Sequence, residues 1–240
     1  MIETDNKGWE IKMKAKAFRA AFPYTVPVFM GYLFLGIAFG VLLASKGYHA
    51  VWAAAMSLTC YAGSGQFVAV NLLAAPFAPL HAVLIELMVN CRHLFYGLSL
   101  LEPFSRTGRL KPYMVFSLTD ETYSLQCGVV PPDGVDEGWF RFFISVLDHS
   151  YWIFGSVVGA LAGTLIPFDS TGIDFAMTAL FTVIFVEQWE SGGSHLPALT
   201  GLGVTAACLL LFGGENFIPF ALLGIAAILL ASRKRLEVHA

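Results

Sequence analysis

Residues 51–75 read VWAAAMSLTCYAGSGQFVAVNLLAA, an apolar run of membrane-spanning length that Gly63, Ser64 and Gly65 interrupt near its middle. Two glycines around a serine break a helix, and the break frees backbone amide and carbonyl groups. Since lipid offers these groups no hydrogen-bond partner, such a break is tolerated only inside protein or beside a cavity. The run therefore predicts a broken or re-entrant helix in the interior of a membrane protein.

The composition of the whole chain supports a membrane fold. Of its 240 residues, 57% are hydrophobic and 13% are charged, and the mean hydropathy is +0.69. A water-soluble fold of this length could not hide so much apolar surface, so we predict an all-α, polytopic bundle of transmembrane helices in a lipid bilayer. The net charge of -3 indicates no nucleic-acid partner. The four cysteines lack CxxC spacing, and we expect neither a metal site nor a cofactor.

Eight apolar segments follow one another along the chain. They span about 22–44, 51–75, 80–101, 113–130, 140–166, 173–186, 196–212 and 217–231. Residues 1–20 are polar and basic-leaning, and the apolar run after them is too long for a cleavable signal. Basic residues before a first span place the N-terminus in the cytoplasm.

Charge in the loops suggests how these segments cross the membrane. Eight full spans would put the basic loop 105–112 outside and the acidic loop 131–138 inside, against the positive-inside rule. If the second and sixth segments enter and leave on one side, the N-terminus, the basic loop and the C-terminal residues 233–235 are all cytoplasmic. The fourth segment, 113–130, then crosses the membrane, and the acidic loop lies outside. Within a single membrane domain, residues 21–130 and 139–232 then form an inverted repeat, a common transporter plan.

The break in the second segment is the first candidate site. A helix that begins near Gln66 points partial positive charge into the break, where it would attract an anion such as a substrate carboxylate. A plain kink is the alternative, but residues 191–194, Ser-Gly-Gly-Ser, break the second half at the matching place. We predict that substrate binds at the residues of the break: Gly63, Ser64, Gly65 and Gln66.

The third segment carries polar residues on one helical face. Glu86, Asn90 and His93 follow at i, i+4 and i+7, whereas Arg92 lies off that face. Polar groups within a span are costly and often mark a substrate or proton pathway. We predict a substrate contact for Asn90. His93 is interpreted either as a proton-handling residue or as a packing histidine.

The fourth and fifth segments hold adjacent ionisable residues. Asp120 and Glu121 lie in the middle of the fourth, and Asp148 with His149 lies in the fifth. Carboxyl and imidazole groups inside a membrane are typical of proton relays, so we predict proton coupling at these residues. A solvated surface helix is the alternative for the first pair, and a structural ion pair with an arginine is the alternative for the second.

Three motifs, in this order, resemble the landmarks of the AzlC family, the large subunits of bacterial branched-chain amino-acid exporters. They are residues 61–67 (YAGSGQF), 90–97 (NCRHLFYG) and 119–123 (TDETY). The resemblance covers roughly residues 15–235. It implies export of leucine, isoleucine and valine, with methionine as a further candidate, across the inner membrane. It also implies coupling to the proton gradient and a small membrane partner of the AzlD type. For an amino-acid substrate, the break at residues 63–66 is the candidate site for the carboxylate, and Asp120 or Glu121 is the candidate for the ammonium group.

Two other functions compete with a carrier that is not an enzyme. An intramembrane serine hydrolase would use Ser64 as nucleophile and His93 or His149 as base. However, Ala62 stands where the rhomboid-type Gly-x-Ser-Gly pattern needs glycine. A channel, or a scaffold subunit without transport of its own, is the second alternative.

Overall fold

The structure is a computed structural model that describes residues 2–76, 78–165 and 195–232, with scattered positions between 175 and 190. It has two compact units, Met1–Asp174 and Phe175–Ala240. The described residues are helical, without strands, as the sequence predicted. The predicted break at residues 191–194 lies outside the described residues.

Nine α-helices and a short 3-10 turn make up the described part of the first unit. They are α1 Ile2–Ser45, α2 Ala50–Thr59, α3 Gly63–Ala74, α4 Pro79–Asn90, α5 Arg92–Ser99, α6 Leu101–Ser105, the 3-10 turn Gly108–Leu110, α7 Lys111–Phe116, α8 Asp120–Gly128 and α9 Glu137–Leu165. In the second unit, α10 covers Leu196–Ala231 and bends at Gly213, where φ is 72°.

Three helices of the described residues are long and apolar enough to cross a membrane. They are Trp9–Ser45, Glu137–Leu165 and Leu196–Gly214. The all-α membrane fold is therefore confirmed. Because α1 begins at residue 2, the polar segment 1–20 continues into the first span as one helix.

Helices α1 and α9 pack side by side through glycines, and they run in the same direction. The Cα of Gly155 lies 3.0 Å from a Cβ built on Gly36, and one turn further Gly40 meets Gly159 in the same way. Residue numbers rise together along both helices, from the ring contact of Phe18 with Phe143 onward. The small residues at four-residue spacing thus form an internal packing surface.

Helices α2 and α3 form a hairpin that enters and leaves at one end, here called the first hairpin. The chain reverses at Tyr61, whose φ of 41° lies in the left-handed region. At the open end, the hydroxyl of Tyr48 donates to the carbonyl of Leu73 at 3.5 Å. The re-entrant second segment is therefore as the sequence predicted.

Helices α7 and α8 form a second hairpin, and the prediction that residues 113–130 cross the membrane was wrong. Tyr113 in α7 and Thr122 in α8 contact the neighbouring α9 residues His149 and Asp148. Further along α8, Gln126 donates to the carbonyl of Arg141 at 2.9 Å, so α8 descends along α9. Residues 113–130 therefore enter the bundle as far as residues 117–119 and then return to the side from which they entered.

The second hairpin changes the predicted side of the acidic loop. Lys16 near the start of α1 donates to the carbonyl of Gly134 at 2.8 Å, and a Cβ on Gly138 would lie 3.9 Å from Thr107 of the basic loop. The N-terminus, the basic loop and the acidic loop therefore share one end, and placing the acidic loop across the membrane was wrong. Acidic residues carry little weight in orienting spans, which is why the charge argument failed there.

The direction of α9 also bears on the predicted inverted repeat. Helices α1 and α9 head the two proposed halves, 21–130 and 139–232, and inversion requires them to run in opposite directions. They are parallel, so inversion is not found for this pair of helices. Most of the remaining second half lies outside the described residues, and the division into two halves stays a prediction.

The glycine contact makes a stability prediction. An alanine Cβ at Gly40 would lie 2.8 Å from the carbonyl carbon of Gly159, whereas Gly31, on the same helix, has nothing within 4 Å of its Cβ position. We expect Gly40→Ala to destabilise the folded protein by about 1–3 kcal/mol. Unfolding in detergent micelles, with Gly31→Ala as the control, measures this. Equal stability of the two variants would contradict the α1–α9 contact.

The two hairpins make a labelling prediction. We expect cysteines introduced at Arg106 and Asp133 to react with an impermeant thiol reagent from the same side of the membrane. A cysteine at Ala75, in the turn after α3, should react only from the opposite side. The four native cysteines are first replaced by serine. If positions 133 and 75 were labelled from the same side, the fourth segment would cross the membrane after all.

Candidate functional site

The tips of the two hairpins meet near the middle of the first unit, and Arg92 joins them. Its Nη2 atom donates to the Ser64 hydroxyl at 2.8 Å and lies 2.9 Å from Oδ2 of Asp120. Ser64 stands in the first turn of α3, and Asp120 begins α8. The guanidinium of Arg92, at the start of α5, therefore contacts the N-termini of both α3 and α8. These two helices run in opposite directions.

A cavity of about 500 Å³ opens beside these tips. It lies between the first hairpin, the broken helix α4–α5 and α7, and most of its wall is apolar. Its lining residues are Met56, Cys60, Tyr61, Ala62, Gly65, Gln66, Ala69, Glu86, Asn90, His93, Val115, Phe116 and Leu118. A volume of this size is in the range of small-molecule sites.

The predicted substrate residues lie at or next to this cavity. Gly65, Gln66 and Asn90 line it. Gly63 does not line the cavity, and a Cβ built on it would lie 3.5 Å from the Trp152 ring. The Ser64 hydroxyl accepts a hydrogen bond from Arg92. The substrate role of these residues stays a prediction.

Gln66 has a structural partner on each side of its amide. Its Oε1 accepts from the Trp152 indole at 2.8 Å, and its Nε2 donates to the Ser57 hydroxyl at 3.2 Å. All three side chains are buried. Gln66 therefore fixes the first hairpin against α9, and its amide is already engaged by the protein.

Glu86 is a cavity residue that the site prediction missed. Its Oε2 accepts from Nδ2 of Asn90 at 2.9 Å, and both side chains crowd Gly65, where a Cβ would lie 2.7 Å from each. Oε1 of Glu86 and Oδ1 of Asn90 are buried and make no hydrogen bond to any residue that the structure describes. Two acceptor oxygens thus lie beside the cavity without a donor.

The first turn of α3 faces the same region. The N-cap residue is Ala62, which has no side chain that accepts a hydrogen bond. The first amides of a helix carry partial positive charge and need acceptors. An uncapped N-terminus and two acceptor oxygens therefore occupy neighbouring parts of one cavity.

The adjacent acids Asp120 and Glu121 make separate contacts. Asp120 pairs with Arg92 and accepts from the Tyr96 hydroxyl at 2.5 Å. Glu121 points toward α1 and accepts from the Tyr32 hydroxyl at 2.9 Å. The structure gives these two carboxyls different partners on different helices.

The second predicted pair is separated in the same way. Asp148 is fully buried and accepts from the Thr122 hydroxyl at 2.8 Å. His149 lies between the Ser57 carbonyl, 3.0 Å from Nε2, and the Tyr113 hydroxyl, 2.9 Å from Nδ1. A carbonyl accepts only, so Nε2 donates to Ser57, whereas the Tyr113 hydroxyl can either donate to Nδ1 or accept from it.

Neither His93 nor His149 makes a hydrogen bond to Ser64. His93 lines the cavity, but its Nδ1 lies 3.1 Å from the Asn90 carbonyl, and both ring nitrogens of His149 are engaged elsewhere. Ser64 instead accepts a hydrogen bond from Arg92. A nucleophile needs a base within hydrogen-bond reach, so this geometry disfavours the hydrolase alternative.

Comparison with known proteins gives consistent matches. The sequence model of the AzlC protein family matches residues 27–166. The chain is 48% identical over 221 residues to the branched-chain amino acid transport protein AzlC of Bacillus subtilis, covering 92% of this chain and 87% of that protein. It is 43% identical to an uncharacterized membrane protein of Haemophilus influenzae, covering 92% and 91%.

A more distant relative is the inner membrane protein YgaZ of Escherichia coli. It is 28% identical over 209 residues, which cover 83% of this chain and 82% of that protein. No solved structure shows a significant match.

The ion pair between the hairpin tips makes a prediction. Arg92→Gln or Asp120→Asn alone removes one charge of this pair and keeps the other, whereas the double variant removes both charges. We expect the double variant to be less destabilised than the sum of the singles, with a coupling of about 0.5–3 kcal/mol. Unfolding of the four proteins in detergent measures it. Strict additivity would show that the pair does not hold the tips together.

Proposed function

Because this chain belongs to the AzlC family, we propose that it is a secondary transporter that exports branched-chain amino acids across the bacterial inner membrane. The substrates would be leucine, isoleucine and valine, with methionine as a further candidate. The Bacillus subtilis relative is a branched-chain amino acid transport protein, which supports the substrate class. The cavity at the hairpin tips is the observation in this molecule that carries the proposal.

An amino acid needs three features from its site, and the cavity offers a candidate for each. The uncapped N-terminus of α3 would receive the carboxylate. The apolar wall, including Met56, Val115 and Phe116, would receive a branched side chain. Glu86 and Asn90 would receive the ammonium group, since each has an acceptor oxygen to spare.

The ammonium assignment differs from the sequence-based hypothesis. That hypothesis gave the task to Asp120 or Glu121. Asp120 is paired with Arg92, Glu121 faces Tyr32, and neither lines the cavity. We therefore propose Glu86 for this role and leave Glu121 and Asp148 for proton handling.

Orientation and partnership complete the proposal. We place the end that holds the N-terminus, the basic loop and the acidic loop in the cytoplasm, because basic residues cluster there. The C-terminal residues 233–235 would lie on the same side. A small AzlD-type membrane subunit is proposed as partner on the family resemblance. Its contact lies away from the glycine faces of α1 and α9, which pack on each other.

Counterflow in proteoliposomes tests the carrier. Vesicles loaded with unlabelled leucine should take up labelled leucine transiently above its equilibrium level, with the small subunit present. A channel equilibrates leucine without such an overshoot, and a scaffold subunit moves none. The same vesicles with and without a proton gradient test whether export is proton-driven.

The ammonium assignment makes a prediction for Glu86. Glu86→Gln removes the charge that would pair with the substrate, so we expect leucine affinity to fall by about tenfold or more. Binding of isocaproate, which is leucine without its ammonium group, should not weaken. Glu102→Gln, at an exposed position of α6, is the matched control. An equal loss for both ligands would move the ammonium site elsewhere.

A further inference from the structure

Five side chains from α1, α9 and the tip of the second hairpin form one continuous line of hydrogen bonds, here called the hydroxyl chain. Oε2 of Glu121 lies 2.9 Å from the Tyr32 hydroxyl, which lies 2.5 Å from Oγ1 of Thr119. Oγ1 of Thr119 lies 3.1 Å from Oγ1 of Thr122, which lies 2.8 Å from Oδ2 of Asp148. A carboxyl group stands at each end.

Counting hydrogens shows what this line requires. It has four oxygen–oxygen contacts, but its three hydroxyls own only three hydrogens. If Tyr32 donates to Glu121, and if Thr119 and Thr122 donate toward Asp148, the contact between Tyr32 and Thr119 has no hydrogen. All four bonds form only when a fourth proton resides on one of the two carboxyls.

Two arrangements satisfy every contact. With the proton on Glu121, each hydroxyl donates toward Asp148. With the proton on Asp148, each hydroxyl donates toward Glu121. Oγ1 of Thr119 also accepts the Thr122 amide at 3.2 Å, and its two lone pairs allow this in both arrangements.

The surroundings isolate the line from water. Tyr32, Thr119, Thr122 and Asp148 are each at most 6% exposed, and only Glu121 is partly accessible. Four ionisable groups interact electrostatically with the carboxyls of the chain. Arg92 and Asp120 act on Glu121, and Asp148 acts on the hydroxyls of Tyr61 and Tyr151. Glu121 also acts on Asp148. A proton at Asp148 therefore has the hydroxyl chain as its hydrogen-bonded route among the described residues.

We propose that the hydroxyl chain is a proton relay that carries one proton between Glu121 and Asp148. The proposal rests on the proton-coupled transport proposed above and deepens it. In one passage the O–H bond of one carboxyl breaks, each hydroxyl receives a proton from one neighbour and gives its own to the next, and the far carboxyl gains an O–H bond. One proton moves, and no electrons are transferred.

The position of the relay explains how it would sense the transport cycle. Tyr32 belongs to α1 and Asp148 to α9, the two helices locked by glycines, whereas Thr119 and Thr122 belong to the hairpin tip. A shift of the tip separates the threonines from their partners on α1 and α9. The relay therefore conducts a proton only while Thr119 and Thr122 contact α1 and α9. Proton passage thus depends on the conformation of the second hairpin.

Substitution of Thr122 tests the relay. Thr122→Val keeps the shape of the side chain and removes one link, so we expect proton-driven leucine transport to fall by roughly 10²-fold, as for loss of a positioned proton-transfer group. Leucine exchange, which needs no net proton movement, should stay within about twofold of the wild type. Thr122→Ser restores the hydroxyl and should restore proton-driven transport. Thr25→Val is the matched control, since Thr25 is a buried threonine of α1 outside the chain.

The outcomes separate the relay from the proposed function. Absence of leucine counterflow in the wild-type protein would overturn the transport proposal itself. Normal wild-type coupling together with an unchanged Thr122→Val variant would overturn the relay alone. Equal losses of driven transport and exchange in Thr122→Val would show a structural role for the threonine and would also overturn the relay.

Infrared spectroscopy of the purified complex gives a second, transport-independent readout. At neutral pH the relay holds one protonated carboxyl, shared between Glu121 and Asp148. The difference spectrum between the wild type and the Glu121→Gln, Asp148→Asn double variant should show the loss of one protonated carboxyl band. Loss of none or of two would overturn the proton count on which the relay depends.

Discussion

In lipid, a backbone amide or carbonyl that leaves its helix finds no replacement partner, and the described part of the first unit has two hairpin tips where helices stop inside the bundle. At the first, Tyr61 takes a left-handed φ of 41°, and its buried ring stacks on His149 of α9. At the second, Thr119 accepts the amide of Thr122 and so caps α8. Core side chains rather than lipid therefore surround both breaks.

This enclosure depends on how closely α1 and α9 approach. Glycines at their contact let the two backbones touch, and the pair then presents large side chains on the face toward the hairpins. From that face come Tyr32, which reaches the second tip, and Trp152, which holds Gln66 of the first. The glycine contact lies outside the cavity, yet it sets the position of both hairpin tips.

Hydropathy and the Gly-Ser-Gly break were sufficient to predict the helices and the first hairpin. They did not predict the second, because residues 113–130 have the length and apolar character of a short span. One local signal was present: Thr119 followed by Asp120 and Glu121 is typical of a helix N-terminus, here in mid-segment. Glu86 was placed on a polar face, but its contact with Gly65 depends on tertiary packing that periodicity does not report.

The structure also separates the acidic residues around the hairpin tips. Glu86 lines the cavity, Asp120 is neutralised by Arg92, and Glu121 with Asp148 lies on the side of the second hairpin toward α1 and α9. Substrate and proton would thus occupy opposite sides of one hairpin tip without touching. Coupling between them then requires a shared moving part, and the tip is the element that contacts both. An ion pair at Asp120 suits that role, since it fastens the tip to the cavity side by a bond that movement can break and re-form.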